Sequence, residues 1–495
     1  MFQALRRSTK WIVLVVVVTF VGTLLYVGGV NLFGGGSAVA TAVIAEVNGE
    51  PLQAAQLNSQ LAYRIDLLQA QGNRVSGLTR EATRYDALQD LVTYQILQQA
   101  ARSMKITVDE AEVAQQLDAI RAQFPDAESY RNALRQMGIN ESYVRSQVEE
   151  SLRLRNLQER VTAHVEVTDE DVAQAYEAVH LKQLLILADP DDAEAWEAAR
   201  TKAESLRERL AGGATFEDVV QGDDSVTTSD LGFVTRSSSL PEALVEAGFA
   251  LKEGEISQPI ETSNGFRIVQ AVEWRRAEGE AFEKEWASLR EQLLAERKQE
   301  AYRAWLQARR EEAKVVIHDP TLRALDFFAA GKLEEAEAAF REAIAADPQN
   351  AYLHGLLAQV LERQGDLDGA ITEAEQAVNA FEGDPDLRLL LGNLLRKADR
   401  ADEAVAQFQK ASELSPYDMT LHLNLYSLYL QMGRKEEADA ERERLQEIYE
   451  LLQRREALQQ ELQGQGASQD GNGEAQAGEA EGEPSGAASS EAENR

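Results

Sequence analysis

The chain has 495 residues, enough for about three domains at roughly 150 residues each. Its 84 acidic against 50 basic side chains give a net charge of −34, which excludes a nucleic-acid coat, because phosphate binding rests on clustered Lys and Arg. There is no cysteine, so disulfides, thiolate metal sites and cysteine nucleophiles are excluded, and the five histidines show no metal-ligand spacing. Neither a metal nor a cofactor is expected.

From Trp11 to Ala45 no Asp, Glu, Lys or Arg occurs. Trp11 to Val30 is nearly all apolar, and about 20 such residues span the roughly 30 Å of a bilayer's hydrocarbon core. Arg6, Arg7 and Lys10 precede it without an acid, which predicts a cytoplasmic N-terminus (1–10), a single transmembrane anchor (11–33) and an exported, periplasmic body at the inner membrane. A cleaved signal peptide ending at Ala38-Val39-Ala40 competes with this reading. The length of the apolar run favours the anchor.

Residues 43–52, VIAEVNGEPL, predict a strand and an Asn48-Gly49 turn. Amphipathic helices follow to residue 177, with Leu88, Leu91, Val92 and Ile96 at helical spacing. Thr107–Glu110 and Thr168–Asp171 read as capping boxes. Residues 178–275 form an α+β domain: a strand at 184–187, a helix near 192–211, and strands at 256–261 and 266–272. A long charged helix returns within 279–318, carrying Phe282, Trp286, Leu289 and Leu293 on one face and extended by Tyr302, Trp305 and Leu306. Val315–Ile317 reads as a closing strand.

From residue 320 to 453 the chain repeats every 34 residues. Ala336, Ala370, Ala404 and Ala438 share one register, Phe340, Ala374 and Phe408 another, and Gly331, Gly365 and Gly433 a third, with Asp399 in the missing slot. A 34-residue period with small residues at helix crossings is the tetratricopeptide signature, a solenoid of helix pairs. Asn393, Arg396 and Lys397 on a first helix are candidates to hold a peptide carboxylate or an acidic partner segment, against the alternative of a solvated face. Residues 463–495 lack apolar periodicity and are expected to be a disordered acidic tail.

Nucleophile elbows, phosphate loops, zinc helices and dinucleotide loops are absent from the sequence, so no ATP-driven work is expected. Residues 229–273 carry, in order, Asp230-Leu231-Gly232, Leu240-Pro241-Glu242, Phe249-Ala250-Leu251, Gly254-Glu255-Ile256-Ser257, Pro259 and Asn264-Gly265-Phe266. This segment resembles the parvulin (PpiC-type) peptidyl-prolyl isomerase domain. With the helices around it, residues 1–318 resemble the SurA/PpiD family of periplasmic chaperones, and the anchor points to the PpiD branch. The implied fold is a mostly helical protein: an anchor, a helical chaperone domain with an inserted parvulin-like α+β domain, and a repeat solenoid.

The resemblance implies two histidines and a Cys or Asp at the pocket floor. The first histidine position holds Gln183, the second Arg267, and the Cys/Asp position falls on Asp224, or on Asp223 if the loop shifts. The ring-binding positions map to Leu240, Leu244 and Phe249. Prolyl isomerisation breaks no bond; its barrier, about 18–20 kcal/mol, is the lost resonance of the twisting amide. A catalyst must therefore stabilise the twisted amide better than the planar one. Losing both histidines, with Arg267 near an aspartate, predicts a salt-bridged floor and a degenerate isomerase. His164 and His180 read as helix-end residues rather than proton shuttles.

The expected function is an anchored, ATP-independent chaperone for unfolded exported chains near the translocon, with the repeats recruiting a protein partner. Two alternatives stand beside it: an active prolyl isomerase, and an assembly scaffold for an envelope complex.

Overall fold

The computed structural model describes residues 42–473 apart from Asn73, Gln221, Gly222 and Asp224. The expected anchor (11–33) and the tail beyond Gly473 lie outside the described residues, as does Asp224. Among the described residues no helix is long and apolar enough to cross a membrane.

The hairpin β1 (Val43–Val47) and β2 (Glu50–Gln53) leads into α1 (Ala54–Ala70), α2 (Gly77–Ser103), α3 (Glu110–Arg121), α4 (Ala127–Gln136), α5 (Glu141–Val161) and α6 (Asp169–Tyr176). The α+β part follows as β3 (Ala178–Leu187), α7 (Ala193–Ala211), α8 (Phe216–Val220), β4 (Val226–Val234), α9 (Glu242–Ala250), β5 (Ile260–Thr262) and β6 (Gly265–Arg275). Then come α10 (Gly279–Glu312), β7 (Val315–Ile317) and the repeat helices α11 (Pro320–Ala329), α12 (Leu333–Ala346), α13 (Ala351–Gln364), α14 (Leu367–Ala380), α15 (Pro385–Lys397), α16 (Ala401–Leu414) and α17 (Met419–Gln431), closed by α18 (Lys435–Gly473).

These elements form two compact units. Among the described residues, the first gathers the chain up to Tyr94, Ala133–Ile139 and the chain from Lys314 onward; the second holds Gln95–Asn132 and Asn140–Ala313.

In the first unit, Asn48 and Gly49 both take positive φ (53° and 82°), the requirement of the tight turn that lets two strands pair without splaying. β1 also pairs with β7, Val47 facing Val315 and Ala45 facing Ile317, giving the order β2-β1-β7. The repeats pack in the 34-residue register: Ala336, Ala370, Ala404 and Ala438 are all buried where helices cross, as are Phe340, Ala374 and Phe408. Asp399 takes φ 58°, filling the left-handed slot that Gly331, Gly365 and Gly433 fill elsewhere.

A second register runs through polar residues. His354 Nδ1 meets Glu373 at 2.7 Å and its Nε2 faces the Pro348 carbonyl at 3.4 Å. In the next repeat Arg388 donates to Gln407 Oε1 at 3.1 Å and to the Glu382 carbonyl at 3.0 Å. In the third, fully buried His422 meets Glu441 at 2.5 Å and the Ser415 carbonyl at 3.1 Å. One basic side chain thus ties the first helix of each of these three repeats to its second helix and to the preceding loop.

α18 runs on to Gly473, so residues 463–473, expected to be disordered, are helical. Four of these eleven residues are glycine, a poor helix former, so propensity does not account for the extension; continuing an existing helix avoids the cost of nucleation.

In the second unit, Thr168 and Asp171 form the expected capping box of α6, and Asp171 also pairs with Arg297 of α10 at 2.6 Å. Around residue 107 the expectation is corrected: Asp109, not Thr107, caps α3 by accepting from the Ala111 amide at 2.9 Å. Asp is as good a cap as Thr and stands next to the first turn. The Thr107 carbonyl instead accepts from Asn156 Nδ2 at 3.0 Å. α10 is 34 residues long, and no residue of it is fully buried.

Candidate functional site: the sheet face and the repeat face

The four strands are ordered β4-β3-β6-β5, all antiparallel. Alternation along β3 and β6 sends successive side chains to opposite faces. Leu184, Ile186, Phe266 and Ile268 pack against α7 and α8 on one face. Val179, Leu181, Val269 and Ala271 pack with Leu244 and Val245 of α9 on the other. Gln183 and Arg267 belong by register to this second face.

There the structure brings them together. Arg267 Nη1 donates to Gln183 Oε1 at 2.8 Å, and buried Gln183 donates through Nε2 to Ser229 Oγ at 2.9 Å. Arg267 Nη2 donates to Asn264 Oδ1 at 3.3 Å, which also accepts from the Thr262 hydroxyl at 3.2 Å. The floor is a chain of neutral amides and hydroxyls around one guanidinium. Arg267 Nε is buried and has no hydrogen-bond partner among the described residues.

Among the described residues Arg267 meets side-chain amides, and the aspartate expected to pair with it, Asp224, lies outside them. Asp223 pairs with Lys202 at 2.5 Å, and Lys202 and then Ser225 hold its carboxyl below the usual range. The three ring-binding positions separate. Leu244 is fully buried and fixes α9 to the sheet, whereas Leu240 and Phe249 remain partly exposed. Phe249 meets the Trp274 ring edge-on at 5.4 Å, and the Arg236 guanidinium lies 4.2 Å above it.

His180 is not a helix-end residue. It lies in β3, pairs through Nε2 with Asp230 at 2.7 Å and meets the Phe233 ring at a tilt, centroids 5.3 Å apart. Backbone donation from Gly232, then His180, holds the Asp230 carboxyl below its usual range. Adjacent to Val179, His180 points to the face opposite the floor.

On the repeats, Lys397 is engaged by Glu362, and Arg396 Nε is buried with no hydrogen-bond partner among the described residues. The first-helix face is instead acidic. Arg74, just before α2, pairs with Asp386 and with Asp418 at 2.9 Å. The Tyr352 hydroxyl donates to Asp384 at 3.0 Å, and burial followed by Asp384 pushes its pKa up to about 12. Leu78 and Tyr85 of α2 pack into the repeat core, Tyr85 also donating to Asp326 at 2.9 Å, and Arg84 pairs with Asp319 at 2.5 Å.

Family profiles match in the same order: a SurA-like N-terminal domain over residues 1–158, a PPIC-type PPIASE domain over 167–285, and tetratricopeptide repeats over 327–394 and 385–418. The chain joins a SurA-like domain, a PPIC-type domain and tetratricopeptide repeats. It is 26% identical to the foldase protein PrsA of Clostridium kluyveri over 270 residues, covering 48% of this chain and 76% of that protein. It is 28% identical to the chaperone SurA of Burkholderia lata over 263 residues, covering 49% of this chain and 58% of that one. Among solved structures, the peptidylprolyl isomerase PrsA of Bacillus cereus is 17% identical with a TM-score of 0.28, covering 57% of this chain and 96% of that one.

Within the PPIC-type domain, sequence reasoning found Gln183 and Arg267 but missed Ser229, Asn264 and Thr262. Two signals were available: the strand register that sets Gln183 opposite Ser229, and the short turn that puts Asn264 three residues before Arg267.

Proposed function

We propose that the chain is a membrane-anchored, ATP-independent chaperone for exported polypeptides, held by residues 11–33 with its body on the extracytoplasmic side. α10 carries the reading. Its stripe of Phe282, Trp286, Leu289, Leu293, Tyr302, Trp305 and Leu306 is only half-buried over a 34-residue helix. Such a stripe offers an unfolded chain apolar contact without an energy source.

The PPIC-type domain serves in this reading as a peptide-holding module of weak or absent isomerase activity. Its floor contains no described group that exchanges protons near neutral pH, and its guanidinium is already committed to two amides. Catalysis of amide twisting needs donors free to follow the transition state. Work beside the translocon, with the repeats engaging an envelope partner, completes the proposal.

The full chain should suppress aggregation of a denatured client without nucleotide, and should remain with membranes after carbonate extraction. Failure to suppress aggregation would leave the scaffold reading standing. A second reading, active isomerisation, draws on Leu240 and Phe249, which keep an apolar slot partly open. A measured acceleration of X–Pro isomerisation that Asp224→Ala abolishes would establish it and remove the degenerate-domain part of the proposal.

A further inference from the structure

The contact between the segment before α2 and the repeats is more specific than packing. Arg74 spans two repeats, reaching Asp386 in the first turn of α15 and Asp418, the N-cap of α17. Asp386 is sheltered enough that burial pushes its carboxyl above the usual range, against the pull of Arg74. Three residues on, Gly77 lies against the face of Tyr352 so closely that an added Cβ would stand 1.9 Å from the ring. Leu78 then fills the space over Gly355, where an added Cβ would meet its Cδ2 at 3.1 Å. An arginine, a residue without a side chain and a leucine are each read by a different feature of one face.

We propose that the first-helix face of the repeats is a receptor for an arginine-bearing segment, and that Arg74–Leu78 is its resident ligand. A protein partner takes this face by presenting the same chemistry and displacing the segment. This reverses the polarity expected from Asn393, Arg396 and Lys397: the partner segment is basic. The inference does not depend on chaperone activity.

The test uses the full-length protein and a fluorescein-labelled peptide of residues 72–79, which contains one arginine. Gly77→Ala would ordinarily favour a helix, but here it drives a methyl group into Tyr352 and should expel the resident segment. Arg74→Glu should vacate the face by charge repulsion. Both variants are expected to bind the peptide at least tenfold more tightly than the unaltered protein. Adding Asp386→Asn and Asp418→Asn to Gly77→Ala, or replacing the peptide's arginine by alanine, should abolish that gain. Equal affinity of the unaltered protein and both vacated variants, including no binding by any of them, overturns the proposal. So does binding that ignores the two aspartates.

Discussion

Arg74 and Arg267 sit in the two halves of this molecule that were expected to recognise other chains, and they are satisfied in opposite ways. Arg267 is enclosed by the amides of Gln183 and Asn264, so its positive charge has no carboxylate among its described partners. Arg74 is held by two carboxylates, Asp386 and Asp418. The sheet floor is therefore a fixed network in which each member orients the next. The repeat face is a charged receptor with a removable occupant. Similarity to known families locates both surfaces, but only the partners of each arginine tell a rigid floor from an exchangeable contact.

The sharpest way to break this contrast is inside the repeats. His422→Leu strands Glu441, a buried carboxylate, and should cost about 3–5 kcal/mol by chemical denaturation. The double change His422→Arg with Glu441→Gln recreates the Arg388–Gln407 pair one repeat earlier and should restore most of that loss. If it does not, the basic slot is not interchangeable between repeats.

Next in size is the sheet floor. Gln183→Ala removes the hydrogen bonds to Ser229 and Arg267, of which Arg267 keeps Asn264, and the two lost bonds should cost about 1–3 kcal/mol. Aggregation suppression should be unchanged if the floor only braces the domain. Tyr352→Phe removes one hydrogen bond to Asp384 and should cost about 1 kcal/mol.

That tyrosine also carries a pH signature. Its folded-state value, about 12, lies above the ordinary 10.0, so the folded form holds the phenolic proton more tightly. The resulting stability is fully present below pH 10 and is lost as pH rises through about 12, and Tyr352→Phe should remove that alkaline loss. The smallest effect lies at Asp171, held well below the carboxylate range by Arg297 and then by the Thr168 amide. Its contribution is complete above the ordinary 3.8 and fades as pH falls below it, so Asp171→Asn should flatten the acid limb of the unfolding curve.

Features set by local chemistry were legible from the residues alone. The 34-residue register, the Asn48-Gly49 turn and the Thr168 capping box each need only the pattern along the chain. What escaped depended on distant partners. Nothing near Arg74 in sequence announces Asp386 and Asp418, more than 300 residues away. His180 looked solitary because Asp230 becomes its partner only when β4 lies beside β3. Lys397 looked available because Glu362 belongs to the previous repeat. Leu244 looked like a pocket wall because the resemblance alone does not say how closely α9 presses on the sheet.

The three-stranded sheet has a consequence for the order in which the chain matures. Its central strand β1 is complete at Val47, but its partner β7 begins only at Val315. Until that point has been made, one edge of β1 has no strand beside it, and an open edge is a template for pairing with other chains. Closing so long a loop is a modest entropic burden, since each doubling of length adds only about 0.6 kcal/mol, but it is slow to search. A nascent chain emerging N-terminus first would keep an unfinished edge through the whole passage of its α+β half. The finishing strand arrives immediately ahead of the repeats whose first helix then engages Arg84 and Tyr85. Completion of the sheet and docking of the repeats are thus one late event in the life of the chain.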